Sequence, residues 1–335
     1  MKAIVLVGGF GTRLRPLTLT TPKQMLPVGN RPMIERVVEG LAKGGVTDAV
    51  LSLGYRPDAF IDRYPSGVCA GVQLHYAVEP EPLDTAGAIR FAAQHAKIDE
   101  TFIVLNGDVL TDLDLRQLVA LHRDRRAEAT IALTPVDDPS RYGVVPTNAD
   151  GLVLGFIEKP PRDQAPTNWI NAGSYILEPS VIERIPGGRK VSIERETFPA
   201  LVADRSLFAL QSDVYWVDAG TPSTYLEVNL DLLDGKRGDI EIGIGDRASI
   251  APTAKVVRSV VGSRATIGAN AEIVDSLIMH DAQIGPSALI RDSIVGAGVT
   301  IGAGASLTAL CVIGDSQVVD AGASLEGARL PGIAE

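Results

Sequence analysis

The C-terminal stretch constrains the fold more than any other part of the chain, because it repeats. Ile250, Ile267, Ile284, Ile301 and Val318 stand 17 positions apart, as do Val256, Ile273, Ile290 and Leu307, and again Val261, Ile278, Val295 and Val312. Small residues keep the same step at Ala254, Ala271, Ala288 and Ala305, and Gly268, Gly285 and Gly302 each follow an aliphatic residue. A repeat this short cannot bury its own apolar side chains; only stacking on the next copy does so. Three aliphatic registers per period describe three corners of a coil, packed inward into one continuous core with glycines at the turns. The pattern predicts a three-sided parallel β-helix of roughly four to five coils.

The opening of the chain has a different grammar. Ala3 to Val7 is an aliphatic, β-branched run that breaks into Gly8, Gly9 and Gly11, as a strand ending in a glycine-rich turn does. The first 34 residues carry Lys2, Arg13, Arg15, Lys23 and Arg31 without one Asp or Glu, in a chain whose formal charge is -10. A local cationic patch in an acidic protein points to a small polyanion. The excess of acids argues against nucleic acid as the partner. Glycines let backbone N–H groups approach phosphate oxygens, and Arg and Lys supply the opposing charge.

Two glycine-loop motifs are excluded. A dinucleotide fingerprint needs a third glycine where Leu14 stands, and Pro16 disfavours the helix that should open there. A Walker A loop needs G-K-[ST], which is absent. Four scattered histidines and two distant cysteines, Cys69 and Cys311, weaken any nucleophilic triad, zinc cluster or disulfide framework. No run is long enough to cross a bilayer and the N-terminus is no signal peptide, so the expected location is cytoplasmic, with no membrane partner.

Between these two regions, strands alternate with helices. Helical spacing of Met33, Ile34, Val37, Val38 and Leu41 ends at Gly44-Gly45, and further helices are expected near 57–64, 85–96, 114–125, 180–185, 193–203 and 222–233. Strands are expected at 49–53, 72–78, 102–105, 129–134, 143–146, 152–158, 170–177, 207–211 and 214–217. This alternation implies a mainly parallel sheet covered on both faces, with ligands bound beyond the carboxyl ends of the strands, where the glycine turn and Asn106-Gly107-Asp108 would meet. Gly235-Lys236-Arg237-Gly238 reads as a linker. Two domains follow, 1–238 and 239–335, and 335 residues suit two cores.

The string G-G-x-G-T-R-L-R-P-L-T followed by P-K-Q-M-L-P resembles the start of the sugar-1-phosphate nucleotidyltransferases. The resemblance covers residues 1 to about 235, and the repeat resembles the hexapeptide-repeat left-handed β-helix that many members carry. The fold it implies is α/β, a Rossmann-like mixed-sheet nucleotidyltransferase domain followed by a left-handed parallel β-helix. In that family a sugar-1-phosphate oxygen attacks the α-phosphorus of a nucleoside triphosphate in line and pyrophosphate leaves. Positioning, charge neutralisation and a metal suffice for this chemistry, without a protein nucleophile.

Site roles follow from that resemblance. Arg13 and Lys23 are similar to the residues that hold the triphosphate, and Leu6, Gly8, Gly9, Gly11, Thr12 and Gly107 look like the nucleotide cradle. Asp108 in I-V-L-N-G-D and Asp218 in W-V-D-A-G-T-P match Mg²⁺-binding carboxylates. Glu158 and Asn171 would bond sugar hydroxyls, Lys159 the sugar phosphate, with Gly143 and Gly173 lining the sugar. Asp112 and Asp114 read as helix-start residues.

The base-reading segment E-P-E-P-L-D-T-A-G departs from the family pattern L-G-T-A-G, with Asp84 in place of the first glycine. Glu79, Glu81 and Asp84 make the segment rich in acceptors, and Glu79, Asp84 and Thr85 are expected to bind the nucleotide. Guanine presents adjacent N1 and N2 donors where uracil and thymine present one imide donor, which favours GTP. P-L-D-T-A-G-A-I-R and K-V-S-I-E-R-E-T-F-P are most similar to bacterial members of the mannose-1-phosphate guanylyltransferase type. A glucose-1-phosphate thymidylyl- or uridylyltransferase is the near alternative. An acyltransferase on the β-helix would need more than His280, and a non-catalytic paralogue would have lost part of the Arg13, Lys23, Asp108, Asp218 set. The solenoid's flat faces suit a homo-oligomer.

Overall fold

The structure is a computed structural model and describes residues 1–238 and 240–332. Asp239, where the expected second domain begins, and residues 333–335 at its end lie outside the described residues. The chain divides into two compact units: Met1–Gly9 with Ile34–Trp216, and Phe10–Met33 with Val217–Glu335.

The first unit is built on a mixed sheet. Its order runs Ile157–Glu158, Gly143–Val144, Trp169–Leu177, Phe102–Asn106, Lys2–Leu6, Asp48–Leu53, Val72–Val78 and Val68–Cys69; Ala129–Pro135 also pairs with Trp169–Leu177 and carries Leu207–Gln211. Phe102–Asn106, Lys2–Leu6, Asp48–Leu53 and Val72–Val78 are parallel to one another. Ala3, Ile4 and Val5 are all fully buried, as expected of a central parallel strand covered on both faces. Helix Asp84–His95 covers the sheet with Ala86, Ile89, Ala92 and Ala93, and helix Leu115–Arg125 begins where Asp114 accepts the Arg116 amide. Trp169–Leu177 joins antiparallel to Phe102–Asn106, which makes the sheet mixed.

Three predicted elements differ in detail. Residues 152–158 do not form one strand: only Ile157–Glu158 pairs, Leu152 and Val153 make isolated bridges, and Leu154 is exposed between Gly151 and Gly155. The helix expected over 193–203 opens as a wide π turn, Ile193–Thr197, before Phe198–Ala203. Pro199 lacks the amide that an α-turn would use, and the Phe198 amide reaches back to Ile193 instead. The strand expected at 214–217 lies at Trp216–Asp218.

The second unit contains the β-helix, three five-stranded parallel sheets that stack coil on coil. Its core is the predicted aliphatic set, including Val261, Ile278 and Val295, Ile267, Ile284 and Ile301, and Ile273, Ile290 and Leu307. One buried polar ladder accompanies it. Ser259, Ser276 and Ser293 each donate to the carbonyl two residues back, and the amides of Ser276 and Ser293 donate to the hydroxyl one coil before.

The 17-residue step holds until an extra residue enters between Thr308 and Val312, where Ala309 and Leu310 both adopt left-handed φ. Val295 therefore pairs with Ile313 and Ile301 with Val319, rather than with Val312 and Val318. Val318, expected in the core, is 69% exposed, and Val319 takes its place. The predicted linker at 235–238 is a hydrogen-bonded turn in which Lys236 pairs with the nearly buried Asp231 at 2.6 Å.

Residues Phe10–Met33 form no long helix. They make three single turns, Thr12–Leu14, Leu17–Leu19 and Lys23–Met25, followed by a small hairpin, Pro27–Val28 with Arg31–Pro32. Leu14, Leu17, Leu26 and Val28 are buried beneath them.

Candidate active site

In the first unit the carboxyl ends of the parallel strands lie side by side. Leu6 is in register with Asn106 and Ser52, the Gly107 amide donates to the Leu6 carbonyl at 3.0 Å, and the Val7 amide donates to Ser52 at 3.1 Å. Gly8, Gly9, Gly107 and Asp108 are thereby brought to one edge of the sheet, as the topology predicts.

Glu79 sits at the same edge, its amide donating to the Leu53 carbonyl. Its half-buried carboxylate accepts from Ser52 Oγ at 3.0 Å and from the Leu83 amide at 3.1 Å. Burial pushes this carboxyl above its ordinary range, against the opposing pull of those two bonds. Asp84 has φ +62°, the left-handed conformation that glycine adopts freely, and its Oδ1 accepts the Thr85 amide at 2.8 Å. The glycine of the family pattern is thus replaced by one of the few residues that tolerate this backbone.

Thr85 faces inward. Its hydroxyl donates to Glu194 Oε2 at 2.8 Å and accepts the Ile193 amide at 2.8 Å, while Ser192 Oγ donates to the same Glu194 oxygen. The Ala86 and Gly87 amides both reach the Val191 carbonyl. The base-reading segment is therefore stapled to residues 191–194, and the string K-V-S-I-E-R-E-T-F-P, which carries Ser192 and Glu194, gave neither of them a role in the sequence. Glu194 acquires its role only through Thr85, 109 positions away, and Ser192 only through Glu194.

The expected sugar-binding residues come together on the antiparallel side. Gly143 is in register with Glu158. Lys159 Nζ lies 3.2 Å from Glu158 Oε1, and its amide donates to the Tyr142 carbonyl. Asn171 is oriented at both ends of its amide: Nδ2 donates to Tyr175 Oη at 2.9 Å and Oδ1 accepts the Gly173 amide at 3.0 Å. Tyr175 is fully buried, and burial together with the charges of Glu194, Glu158 and Asp108 pushes its phenol far above the ordinary range. Trp216, two residues before the motif aspartate in sequence, donates its indole N–H to the Ala172 carbonyl and packs edge-on to Tyr142, 5.6 Å between centroids. Tyr175 and Trp216 are the residues that fix this wall, and the sequence reading did not single them out.

The second unit holds the remaining predicted residues, Gly11, Thr12, Arg13, Lys23 and Asp218. Gly11 is left-handed at φ +60°, its carbonyl accepting from Thr18 Oγ1 at 2.8 Å and from the Leu14 amide. The Lys23 stem packs against it. Arg13 Nη2 lies 3.9 Å from Asp218 Oδ2; the arginine is 57% exposed and the aspartate 21%. A side chain at Gly220 would collide with both groups. Asp218 leads into helix Pro222–Leu233, which Thr221 and Thr224 start with a reciprocal capping box.

A model described as "Nucleotidyl transferase" matches residues 2–235, and one described as "EIF2B subunit epsilon LbH domain", a left-handed β-helix, matches 223–325. The chain belongs to the nucleotidyl transferase family. A relative from Mycobacterium tuberculosis, named mannose-1-phosphate guanylyltransferase, is 41% identical over 272 residues, covering 78% of this chain and 74% of the relative. One from Emericella nidulans, named mannose-1-phosphate guanyltransferase, is 48% identical over 232 residues, 68% of this chain and 62% of its own length, so the match spans less than two thirds of that protein.

Among solved structures, a putative glucose-1-phosphate thymidylyltransferase from Bacillus anthracis superposes with TM-score 0.63 at 27% identity, over 68% of this chain and 94% of its own. HddC from Yersinia pseudotuberculosis, complexed with GMP-PN, gives TM-score 0.58 at 31% identity over 68% and 97%. Both match this nucleotidyl transferase's fold class, a mixed α/β sheet domain; the family model supplies the left-handed β-helix that follows it.

Proposed function

We propose that this nucleotidyl transferase is a mannose-1-phosphate guanylyltransferase, converting GTP and mannose 1-phosphate to GDP-mannose and pyrophosphate. The observation that carries this reading is the 41% identity, over 272 residues that extend past the catalytic segment, to a bacterial protein of that name. The complex of HddC with a guanine nucleotide analogue supports the choice of base.

In the reaction a phosphate oxygen of the sugar phosphate attacks the α-phosphorus, a new P–O bond forms, and the bond to the bridging oxygen breaks as pyrophosphate departs. Arg13 and Lys23 counter the charge on the leaving group. Glu158 and the oriented amide of Asn171 bind sugar hydroxyls, and Lys159 meets the sugar phosphate. Glu79, Asp84 and the segment stapled by Thr85 face the base. Asp108 and Asp218, by the family motifs they stand in, are the carboxylates that would hold a hard divalent cation, which takes much of its shell from phosphate and water; among the described residues no group of three or more acids, histidines or cysteines is placed to hold a metal ion. Mg²⁺ held there supplies charge neutralisation to the triphosphate.

Pyrophosphate release measured across GTP, UTP and dTTP, each with mannose 1-phosphate and glucose 1-phosphate, tests the assignment. The GTP and mannose 1-phosphate pair is expected to turn over fastest, and EDTA or Asp108→Asn to abolish it. Faster turnover of dTTP with glucose 1-phosphate would favour the activity in the name of the Bacillus relative. The reading extends to a cytoplasmic homo-oligomer. No helix among the described residues is long and apolar enough to cross a membrane, and the exposed Ile240 and Ile242 at the start of the β-helix support self-association, which sedimentation would detect.

A further inference from the structure

The phosphate-binding stretch is seated on the β-helix. Within the second unit, the ring of Pro16 lies on Gly314, where a Cβ would come within 3.0 Å of it, and the Arg329 guanidinium donates to the Arg15 carbonyl at 3.4 Å. Asp315, beside Gly314, is fixed in its coil because Oδ1 accepts the Ala297 amide at 2.9 Å. Its other oxygen, Oδ2, accepts Thr20 Oγ1 at 2.5 Å and Thr21 Oγ1 at 3.5 Å. Thr20 and Thr21 stand between Arg13 and Lys23 in the chain.

Asp315 occupies a corner that Ser263, His280 and Ala297 hold in the preceding coils, as the pattern Gly262, Met279, Gly296, Gly314 for the residue before it shows through their amide bonds. It is the corner that follows the extra residue at 309–310. The coil that breaks the period is therefore the one that presents a carboxylate to the phosphate-binding stretch.

Single turns without a long helix have few internal hydrogen bonds and depend on neighbours for their order, and a phosphate grip works only when its cations are held before the ligand arrives. We propose that Asp315 is a positioning residue for nucleotidyl transfer: anchored in the β-helix at one oxygen, it fixes Thr20 and Thr21 with the other, and so holds Arg13 and Lys23 ready for the triphosphate. This rests on the reading that Arg13 and Lys23 bind the triphosphate, and it gives the β-helix a part in catalysis without a catalytic group of its own.

The test uses the full chain with Asp315→Ala, Thr20→Val, their combination, and Thr20→Ser. Asp315→Ala is expected to raise KM for the nucleotide roughly ten- to a hundredfold, as loss of a charge-assisted hydrogen bond does, with a much smaller change in KM for the sugar phosphate. Thr20→Val should reproduce the effect, the double variant should add little to it, and Thr20→Ser should restore wild-type behaviour. Amide exchange over residues 12–25 should quicken in Asp315→Ala and Thr20→Val. Unchanged nucleotide KM with unchanged exchange, or effects of the two substitutions that multiply independently, would overturn the proposal. If Asp315→Ala failed to fold, the Thr20 pair alone would decide it. A wild-type protein inactive with every substrate pair would defeat the functional reading, and the exchange experiment would still show whether Asp315 holds the loop.

Discussion

Asp84 shows how one residue can depart from a family pattern without breaking the backbone that the pattern protects. At φ +62° an alanine is strained, whereas aspartate can hold its own neighbour's amide, as Oδ1 does with Thr85 here. Asp84→Ala is therefore expected to lower unfolding free energy by about 1–2 kcal/mol. Asp84→Gly, which regains the conformational freedom, should change it by no more than a few tenths to about 1 kcal/mol. Urea denaturation of the two variants checks the difference. The glycine variant keeps the backbone and removes only the acceptor, so its GTP-to-UTP rate ratio is expected to fall if the carboxylate reads guanine.

Among the elements, the serine ladder of the β-helix carries a sharper energetic consequence than its aliphatic core. Ser276 is buried and satisfies two groups at once, the Val274 carbonyl and the Ser293 amide. Ser276→Ala leaves the buried Ser293 amide without that partner, while the Val274 carbonyl keeps the Asp292 amide, and is expected to destabilise by about 1–3 kcal/mol, whereas an exposed serine such as Ser249 should lose almost nothing. Equilibrium unfolding followed by circular dichroism measures both. The ladder was invisible to periodicity because serine marks no register in a hydrophobic count, although Ser259, Ser276 and Ser293 do stand at the repeat step. The same blindness explains the slip at the last coil. With Val312 beside Ile313 and Val318 beside Val319, a one-residue insertion leaves an aliphatic side chain at the wrong position as well as the right one. The alternating strands and helices of the first unit were legible because each buries a run or stripe of its own residues, such as Ala3–Val5 or Val37, Val38 and Leu41. The roles of Glu194 and Trp216 were not, since these depend on groups contributed by distant segments, and that of Tyr175 was not, since it meets Asn171 only across an irregularity within their own strand.

At the scale of the whole molecule, the order of residues along the chain and the grouping of residues in space disagree. The chain leaves the first unit after Gly9, spends Phe10–Met33 in the second, returns at Ile34, and crosses again after Trp216. A stop after Gly238 removes the β-helix alone on a linear reading, yet it also removes Gly314, Asp315 and Arg329 from beneath Pro16, Thr20 and Arg15. The fragment keeps the contacts of helix Pro222–Leu233, through Asn229 on the Gly29 amide and Tyr225 on the Pro27 carbonyl, and the approach of Arg13 to Asp218 at 3.9 Å. The helix contacts hold the hairpin end of the stretch, and the turns bearing Arg13 and Lys23 lose what Gly314, Asp315 and Arg329 supply. The 1–238 fragment is therefore expected to retain the circular dichroism of the mixed sheet, to exchange amides 12–25 faster than the full chain, and to lose most pyrophosphate release through a raised nucleotide KM. A fragment that released pyrophosphate with the full chain's nucleotide KM would show that the β-helix serves assembly or solubility and leaves the phosphate grip to the residues before it.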